Sequence, residues 1–567
     1  MTHFTPIDLD QSFVPKGTPM FSDLITQLRD DSSLNHTRHR DLASGLRRVA
    51  KALGLTPQDV PCHGRWLQPR LSKVSPAMHG ISTKTWQNAV SNVRSAMAHA
   101  GIVEQRFNRI TDLSPEWQEL WARVLETGDK TLQPSLCRFV HFLSNQGIAP
   151  GEVQDAHAHA YRDALVVNEI SKSPETGYRA AVNGWNLAVD RVSSWPRKRL
   201  SLENRQTVIK LSEDAFPVSF IQDVDALMSN FATPDPLADD GRHRALRPAS
   251  LVQYRRQLIR FASEVVHSGV SIAQIQSLGD VLQPDMAERG LRQMLSRNNN
   301  QSNAVIAEVA SRLRNFSKVS GQPDETQIGL DRLALRLAVP AQKGMTPKNR
   351  ERLRTLQNDK MMRRLLNLPE QVFVNPPEGK ANAYTQALAR EDAVAIAILL
   401  VCPVRVKNLA GIHLERHIQR PGDGRSFLVL TEDDVKNARP LEFELPQYLV
   451  RMIDQHLATR SPMMCPAGTP WLFPKRDGAA SIEHNQLSAR IRKRIGKETG
   501  LSVNAHLFRH LAVMNWLDAN PGGYEVARRL LGHSDVSKTI SLYSGLEVKS
   551  ATRAFADLIE TKKGPRT

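Results

Sequence analysis

Cysteine is scarce in this chain: four in 567 residues, at positions 62, 137, 402 and 465, no two of them close together. Such spacing supplies neither a disulfide framework nor a cysteine-rich zinc site, and it fits a reducing compartment. Long apolar runs are missing as well. The most extended, AVAIAILLVCPV at 393–404, falls short of the roughly twenty residues that a bilayer core demands. The opening MTHFTPIDLDQSFVPKGT lacks the basic-then-apolar order of a secretory signal. A soluble, cytoplasmic protein without a membrane partner is expected. Acidic residues are the minority, 58 Asp and Glu against 75 Lys and Arg, giving a net charge of +17 and a pI near 9.9. That imbalance favours a polyanionic partner.

What is present is a globular composition, 41% hydrophobic and 23% charged, on a chain too long for one core. Residues 1–19 read as a flexible N-terminus. The stretch to 340 is helical, and a helical pattern ends three times at a similar turn: ALGLTPQDV (52–60), NQGIAPGEV (145–153) and HSGVSIAQI (267–275). Each has a glycine suited to a left-handed helix cap, and an apolar residue six positions later. An amphipathic helix follows each turn, at 85–101, 176–192 and 303–321, with apolar residues at three- and four-residue steps. Helical units are therefore expected at 20–105, 115–200 and 245–340, with the Pro- and charge-rich 230–248 as linker.

After 345 the pattern changes. An apolar helix runs up to Arg405; two short alternating segments, FLVL (427–430) and PLEFEL (440–445), flank a polar turn and read as antiparallel strands. Helices are expected at 447–457, 484–499, 505–519 and 523–531. The fold class is mainly α and multidomain, closing in an α+β domain with a small antiparallel sheet, over 345–563.

That last domain carries the chemistry. Arg405 lies in VCPVRVKNLAGIHL, Lys436 in the polar turn LTEDDVKNARP, His506 and Arg509 in AHLFRHLAV, and His533 and Tyr543 in RRLLGHSDVSKTISLYSG. His506 and Arg509, three apart on a helix, share a face. Two guanidiniums can clamp a phosphate through paired hydrogen bonds, and a tyrosine can attack it. No part alone is specific; an isolated HxxR is usually a surface pair. Other signals are weaker. His413 and His417 flank Glu415 on what reads as a strand edge, where a solvated surface is expected rather than zinc. His157 and His159 read as a surface helix, and PRKRL (196–200) as a phosphate contact or a solvated loop. The tail 548–563 places Ala551, Ala554, Phe555, Leu558 and Ile559 on one stripe, to pack in the same chain or on a neighbour.

In order and surroundings these residues resemble the tyrosine recombinase (phage integrase) family. Arg405 matches its first arginine, Lys436 the hairpin lysine, His506 and Arg509 the HxxR motif with His510 continuing it, His533 the LGH motif, and Tyr543 the nucleophile. The resemblance implies a site-specific DNA recombinase without metal or cofactor. Tyr543 would form a 3′-phosphotyrosyl link, Arg405 and Arg509 would stabilise the phosphorane-like charge, and Lys436 would protonate the departing 5′-oxygen. His506 would assist proton transfer from the tyrosine, and His533 would hydrogen-bond the phosphate. It further implies double-stranded DNA at a specific site as partner, a homo-oligomer (a tetramer on two sites) or an assembly with related recombinases, and a bacterial, nucleoid-associated location. The helix at 246–270, with Tyr254, Leu258 and Phe261, resembles the opening helix of the family's core-binding domain. Two departures stand out: Asn408 replaces the acidic residue usual three positions after the first arginine, and Tyr543 follows His533 by one residue more than usual. The rival readings are an inactive DNA-binding protein of the same ancestry and a type IB topoisomerase.

Overall fold

Each of the three glycine turns closes a helix in the same way. His36–Leu53 ends at Gly54, and Leu132–Asn145 and Pro248–His267 are followed by Gly147 and Gly269; all three glycines have positive φ, 74°, 70° and 97°. A side chain there would be strained, which explains the residue type. In the first two, the next residue's amide reaches back to an orphan carbonyl, Leu55 N to Ala50 O and Ile148 N to Leu143 O. A 3₁₀ turn follows every time, at Pro57–Asp59, Pro150–Glu152 and Ile272–Gln274. It returns Val60, Val153 and Ile275 to the interior, where each is buried.

The computed structural model describes residues 13–203, 209–234, 245–340, 344–376, 383–436, 438–460, 462, 464–543 and 548–563. The N-terminal stretch 1–12, part of the segment read as flexible, lies outside them. The described chain is mostly helical, with one small antiparallel sheet, and no described helix is long and apolar enough to cross a membrane. Glu203–Gln342 forms one compact unit; Met1–Leu202 and Lys343–Thr567 form the other.

In the smaller unit, Tyr254, Leu258 and Phe261 face an apolar core. That core also takes in Phe220, Val224, Leu227 and Phe231 from the helix Val218–Ala232. The stretch read as linker therefore begins inside a helix; its central residues, 235–244, lie outside the described ones. The apolar step of four, three and four residues was hidden by the proline-rich sequence just after it.

Among the described residues, the larger unit holds three large apolar cores and a small cluster at Ala387, Met464 and Cys465. The second is built on three tryptophans: Trp185 lies 4.9 Å from Trp195, and Trp117 about 6 Å from both, all edge-on. The basic run 196–200 is pinned to this core, since Trp185 donates to the Lys198 carbonyl and Asn186 bonds Leu200 in both directions. His157 and His159 lie on the helix Asp155–Asn168, His157 capping its start. The first core abuts the C-terminal region: Arg364 donates to the Ala77 carbonyl, and Gly500 meets Ser75 and Met78 too closely for a side chain.

The C-terminal region is arranged around the helix Ala383–Val401, buried over almost its whole length. Its one charged patch, Glu391 and Asp392, is held by Arg490 and Arg494. The sheet runs β1 (Ile418–Gln419), β2 (Phe427–Leu430), β3 (Leu441–Glu444), all antiparallel. Leu428, Leu430, Leu441 and Phe443 point inward while Glu442 and Glu444 stay exposed. The expected helices occur at Gln447–Ala458, His484–Thr499, Leu507–Ala519 and Tyr524–Leu531, followed by Val536–Tyr543 and Val548–Lys563.

One local expectation fails. His413 pairs with Trp471 in an isolated antiparallel bridge, but Leu414–His417 is a single helical turn rather than a strand edge, and His417 is buried rather than solvated. Its Nδ1 accepts from the His413 amide, and its Nε2 faces Asp434 at 3.4 Å. Those contacts fold the segment inward. Among the described residues no three His, Cys, Asp or Glu side chains could hold a metal ion together.

Candidate active site

Arg405 occupies the N-cap of a one-turn helix, Val406–Ala410, just after the buried apolar helix. Its guanidinium is half-buried and has no hydrogen-bond or ion-pair partner among the described residues. Burial lowers its pKa, because a charge leaving water without a partner loses solvation. All five of its N–H donors remain free for a ligand.

Arg509 is fully engaged from behind. It is 3% exposed and donates to the Pro403 carbonyl at 2.7 Å and the Leu531 carbonyl at 2.6 Å. One side chain thus ties together the turn before Arg405, the HxxR helix and the end of the helix Tyr524–Leu531. Burial, with the nearby Arg405 adding to it, holds its pKa down to about 10. Burial and the same two arginines lower the pKa of His506, which caps the HxxR helix and exposes its ring to solvent.

Gly532, at φ 61°, ends the helix before His533 and leaves space for Leu441 of β3. His533 then turns its Nδ1 to Thr539 at 2.9 Å, and Arg528 grips its carbonyl. Tyr543 closes the next helix. Its ring is 2% exposed, and its hydroxyl lies 2.9 Å from Nδ1 of His510. Burial raises the phenol's pKa to about 12, with Arg509 opposing. Burial, aided by His506, Arg509 and His533, lowers that of His510 to about 4. At neutral pH the pair is a phenol beside an uncharged imidazole.

Lys436 is exposed on the loop between β2 and β3. That loop is tied to the arginine turn through Asn408, which is 9% exposed and donates its side-chain amide to the Asp434 carbonyl at 2.9 Å. The Asp434 carboxylate in turn accepts from the Thr431 amide and hydroxyl. Burial works against its charge, but these bonds outweigh it, with His417 and Arg416 adding to them, and its pKa falls. Asn408 therefore braces the lysine loop; no carboxylate could donate that bond.

Arg405, His506 and Arg509 lie close enough for their charges to interact; His510 and Tyr543 adjoin Arg509, and His533 lies near His510. Lys436 is linked to them through Asn408. His510 and Asn408 are the participants that motif matching undervalued. His510 was findable from the helix period: it stands one turn after His506 on the same face, the two rings 5.0 Å apart.

Residues 376–549 match the Phage integrase family. This stretch belongs to that family. The integrase domain contains the sheet and the helices, loop and turn bearing Arg405, Lys436, His506, Arg509, His533 and Tyr543. Among curated proteins none matches the chain in sequence. Among solved structures, the chain is similar to XerA recombinase at 15% identity, over 61% of this chain and 100% of that one, with a TM-score of 0.25. It is similar to XerH site-specific recombinase bound to its difH substrate at 11% identity, over 79% and 98%, TM-score 0.34. It is also similar to the Tn1549 transposon integrase in complex with transposon right end DNA at 15% identity, over 59% and 99%, TM-score 0.35. With scores this low, the assignment rests on the family match to the integrase domain.

Proposed function

We propose that this protein is a site-specific DNA recombinase that breaks and rejoins DNA through a 3′-phosphotyrosyl intermediate, serving integration or excision of a mobile element. The observation that carries the reading is the Arg405 fork, unpartnered among the described residues, beside Arg509, with the Tyr543 hydroxyl hydrogen-bonded to His510, the residue next to Arg509. In this reading the phenol oxygen of Tyr543 attacks the phosphorus and the P–O5′ bond breaks. Arg405 and Arg509 carry the charge that builds on the equatorial oxygens, the kind of preorganised stabilisation that supplies most of a phosphoryl-transfer rate. Lys436 gives a proton to the departing 5′-oxygen; His533, oriented by Thr539, hydrogen-bonds the phosphate, and His506 faces the site from the helix cap. Rejoining reverses the step with a 5′-hydroxyl from another strand, so no nucleotide cofactor is consumed.

The net charge of +17 suits duplex DNA as the partner, and the solved XerH and Tn1549 proteins are bound to DNA. On the tail helix, Phe555, Leu558 and Ile559 are 62%, 49% and 37% exposed, an apolar stripe suited to a second copy in an oligomer on DNA.

A covalent-trapping assay tests the reading. Nicked duplexes recovered by binding from a randomised pool are incubated without metal with wild type and with Tyr543→Phe. An adduct that survives denaturation with wild type only is expected. Binding by both without an adduct would instead favour a DNA-binding protein that has lost the reaction, and relaxation of a plasmid lacking the bound sequence would favour a topoisomerase.

A further inference from the structure

The family motifs assign the tyrosine's proton to His506, yet the imidazole that touches the nucleophile is His510. Its Nδ1 lies 2.9 Å from the Tyr543 hydroxyl, and both side chains are buried. The rings meet edge-to-face with centroids 5.5 Å apart, so the contact is a packed one rather than a chance approach of two mobile groups. Among the described residues His506 makes no such bond; its ring stands against that of His510, centroids 5.0 Å apart.

We propose that His510 is the general base for Tyr543, a catalytic residue in its own right; the proposal rests on the recombinase reading above. In the forward step the phenol O–H bond breaks as the oxygen bonds to phosphorus. The proton passes to Nδ1 of His510, and the P–O5′ electron pair leaves on the 5′-oxygen, which Lys436 protonates. In rejoining, the protonated His510 returns its proton to the departing phenol oxygen. No other reactant is needed.

The surroundings suit a base rather than an acid. Among the described residues, the charged and titratable groups around His510 are His506 and Arg509 on its own helix, His533 from the turn after Tyr524–Leu531, and Tyr543 from Val536–Tyr543. None of these is a carboxylate that would hold a proton on the ring before the reaction. The imidazole stays uncharged at neutral pH and presents an acceptor to the phenol. Without it, a phenol whose pKa stands at about 12 would have to lose its proton to bulk water through a buried position.

The test measures the rate of adduct formation on a binding-selected nicked duplex, for wild type, His510→Ala and His510→Gln, from pH 6 to 9. Glutamine keeps a hydrogen bond to the phenol but cannot take the proton, so it separates chemistry from packing. At pH 7 both variants should be slower by a factor of about 10² to 10⁴. Wild type should be nearly flat with pH, and the variants should accelerate about tenfold per unit as hydroxide replaces the lost base. Added imidazole should rescue His510→Ala. The loss should persist on a strand whose 5′-bridging oxygen is replaced by sulfur, a leaving group that needs no acid. Variants within twofold of wild type with an unchanged pH profile, or a loss that the sulfur strand cancels, would overturn the role for His510. A wild type that forms no Tyr543-dependent adduct would overturn the recombinase reading itself, and this proposal with it.

Discussion

Replacing Asn408 by Asp restores the acid that the family usually carries, and the structure says it should do harm. The Asn408 amide donates to the Asp434 carbonyl at 2.9 Å in a position only 9% exposed. Aspartate removes that donor, a loss of about 1 kcal/mol for a neutral bond, and leaves a buried carbonyl facing a carboxylate, a further 1–3 kcal/mol. Asn408→Ala incurs the first loss and part of the second without the like-signed approach. The expected order of stability at pH 7 is therefore wild type, then Ala, then Asp, with Asp lower than wild type by about 2–4 kcal/mol. For a domain of this size that is a fall of roughly 4–16 °C in the melting midpoint. The Asp penalty should shrink in acid, since a buried carboxyl titrates high and its protonated form regains a donor. Thermal and urea unfolding at pH 7 and pH 5 read both effects. Because the Asp434 loop leads into Lys436, the slow step on an ordinary 5′-oxygen should worsen with Asp while the sulfur strand reacts normally. An Asn408→Asp protein as stable as wild type at pH 7 would refute the idea that this side chain braces the loop.

Four further outcomes are expected. Arg490→Met removes Glu391's arginine and one of the two that hold Asp392, both nearly fully buried and bonded to Arg490 at 2.7 Å; denaturant unfolding should show a loss of about 3–5 kcal/mol. Stability should decline as pH falls below 6.5. His456 and His510 are held by burial at about 3 and about 4 when folded, so the unfolded chain takes their protons first. Their contribution is complete above 6.5 and is lost on the way down, by up to about 1.4 kcal/mol per pH unit for each; His456→Gln should make a urea-midpoint profile shallower. A bound duplex at a hundred times its dissociation constant should stabilise the protein by about 2.7 kcal/mol, and Arg405→Ala, read by thermal shift, should lose most of that gain without loss of stability when free. Phe555→Ser with Leu558→Ser should reduce oligomers on DNA in native gels while leaving the melting midpoint within a degree or so, since both side chains are largely exposed.

The elements that local period controls were legible in the sequence. β2 and β3 alternate strictly, and the helices at Gln447–Ala458 and His484–Thr499 begin and end within a residue of where the apolar step places them. The glycine turns were legible because one residue type answers one backbone need. What could not be read were pairings across long separations. Asn408 meets Asp434 across 26 residues, and His510 meets Tyr543 across 33; no period links either pair. β1 is two residues long, too short for alternation to show. His417 looked like a surface residue because its polarity was visible and its partners, the His413 amide and Asp434, were not. Asn408 looked like a defect for the same reason: a missing acid is visible in a sequence, whereas a hydrogen bond to a carbonyl is not.

The way positive charge is housed explains why so little of this site resembles an ordinary salt-bridge network. Elsewhere in the same domain, buried charge is neutralised, as Arg490 is by two carboxylates. At the site, among the described residues, Arg405 has no partner and Arg509 bonds only carbonyls, and burial with the nearby Arg405 weakens Arg509's hold on its proton. Carboxylates in their place would relieve that repulsion in the free protein and then compete with the phosphate for the same forks. Carbonyls fix the geometry of Arg509 without cancelling its charge, and so leave the field for whatever anion enters. In the proposed reaction, housing Tyr543 in the same interior would keep its phenol protonated until a base removes the proton, so that the nucleophile and the charge stabilising its product could stand side by side without pairing prematurely. A half-buried arginine without a partner is costly to stability, and the neutralised Arg490 cluster ties His484–Thr499 to the helix Ala383–Val401 that leads into the Arg405 turn.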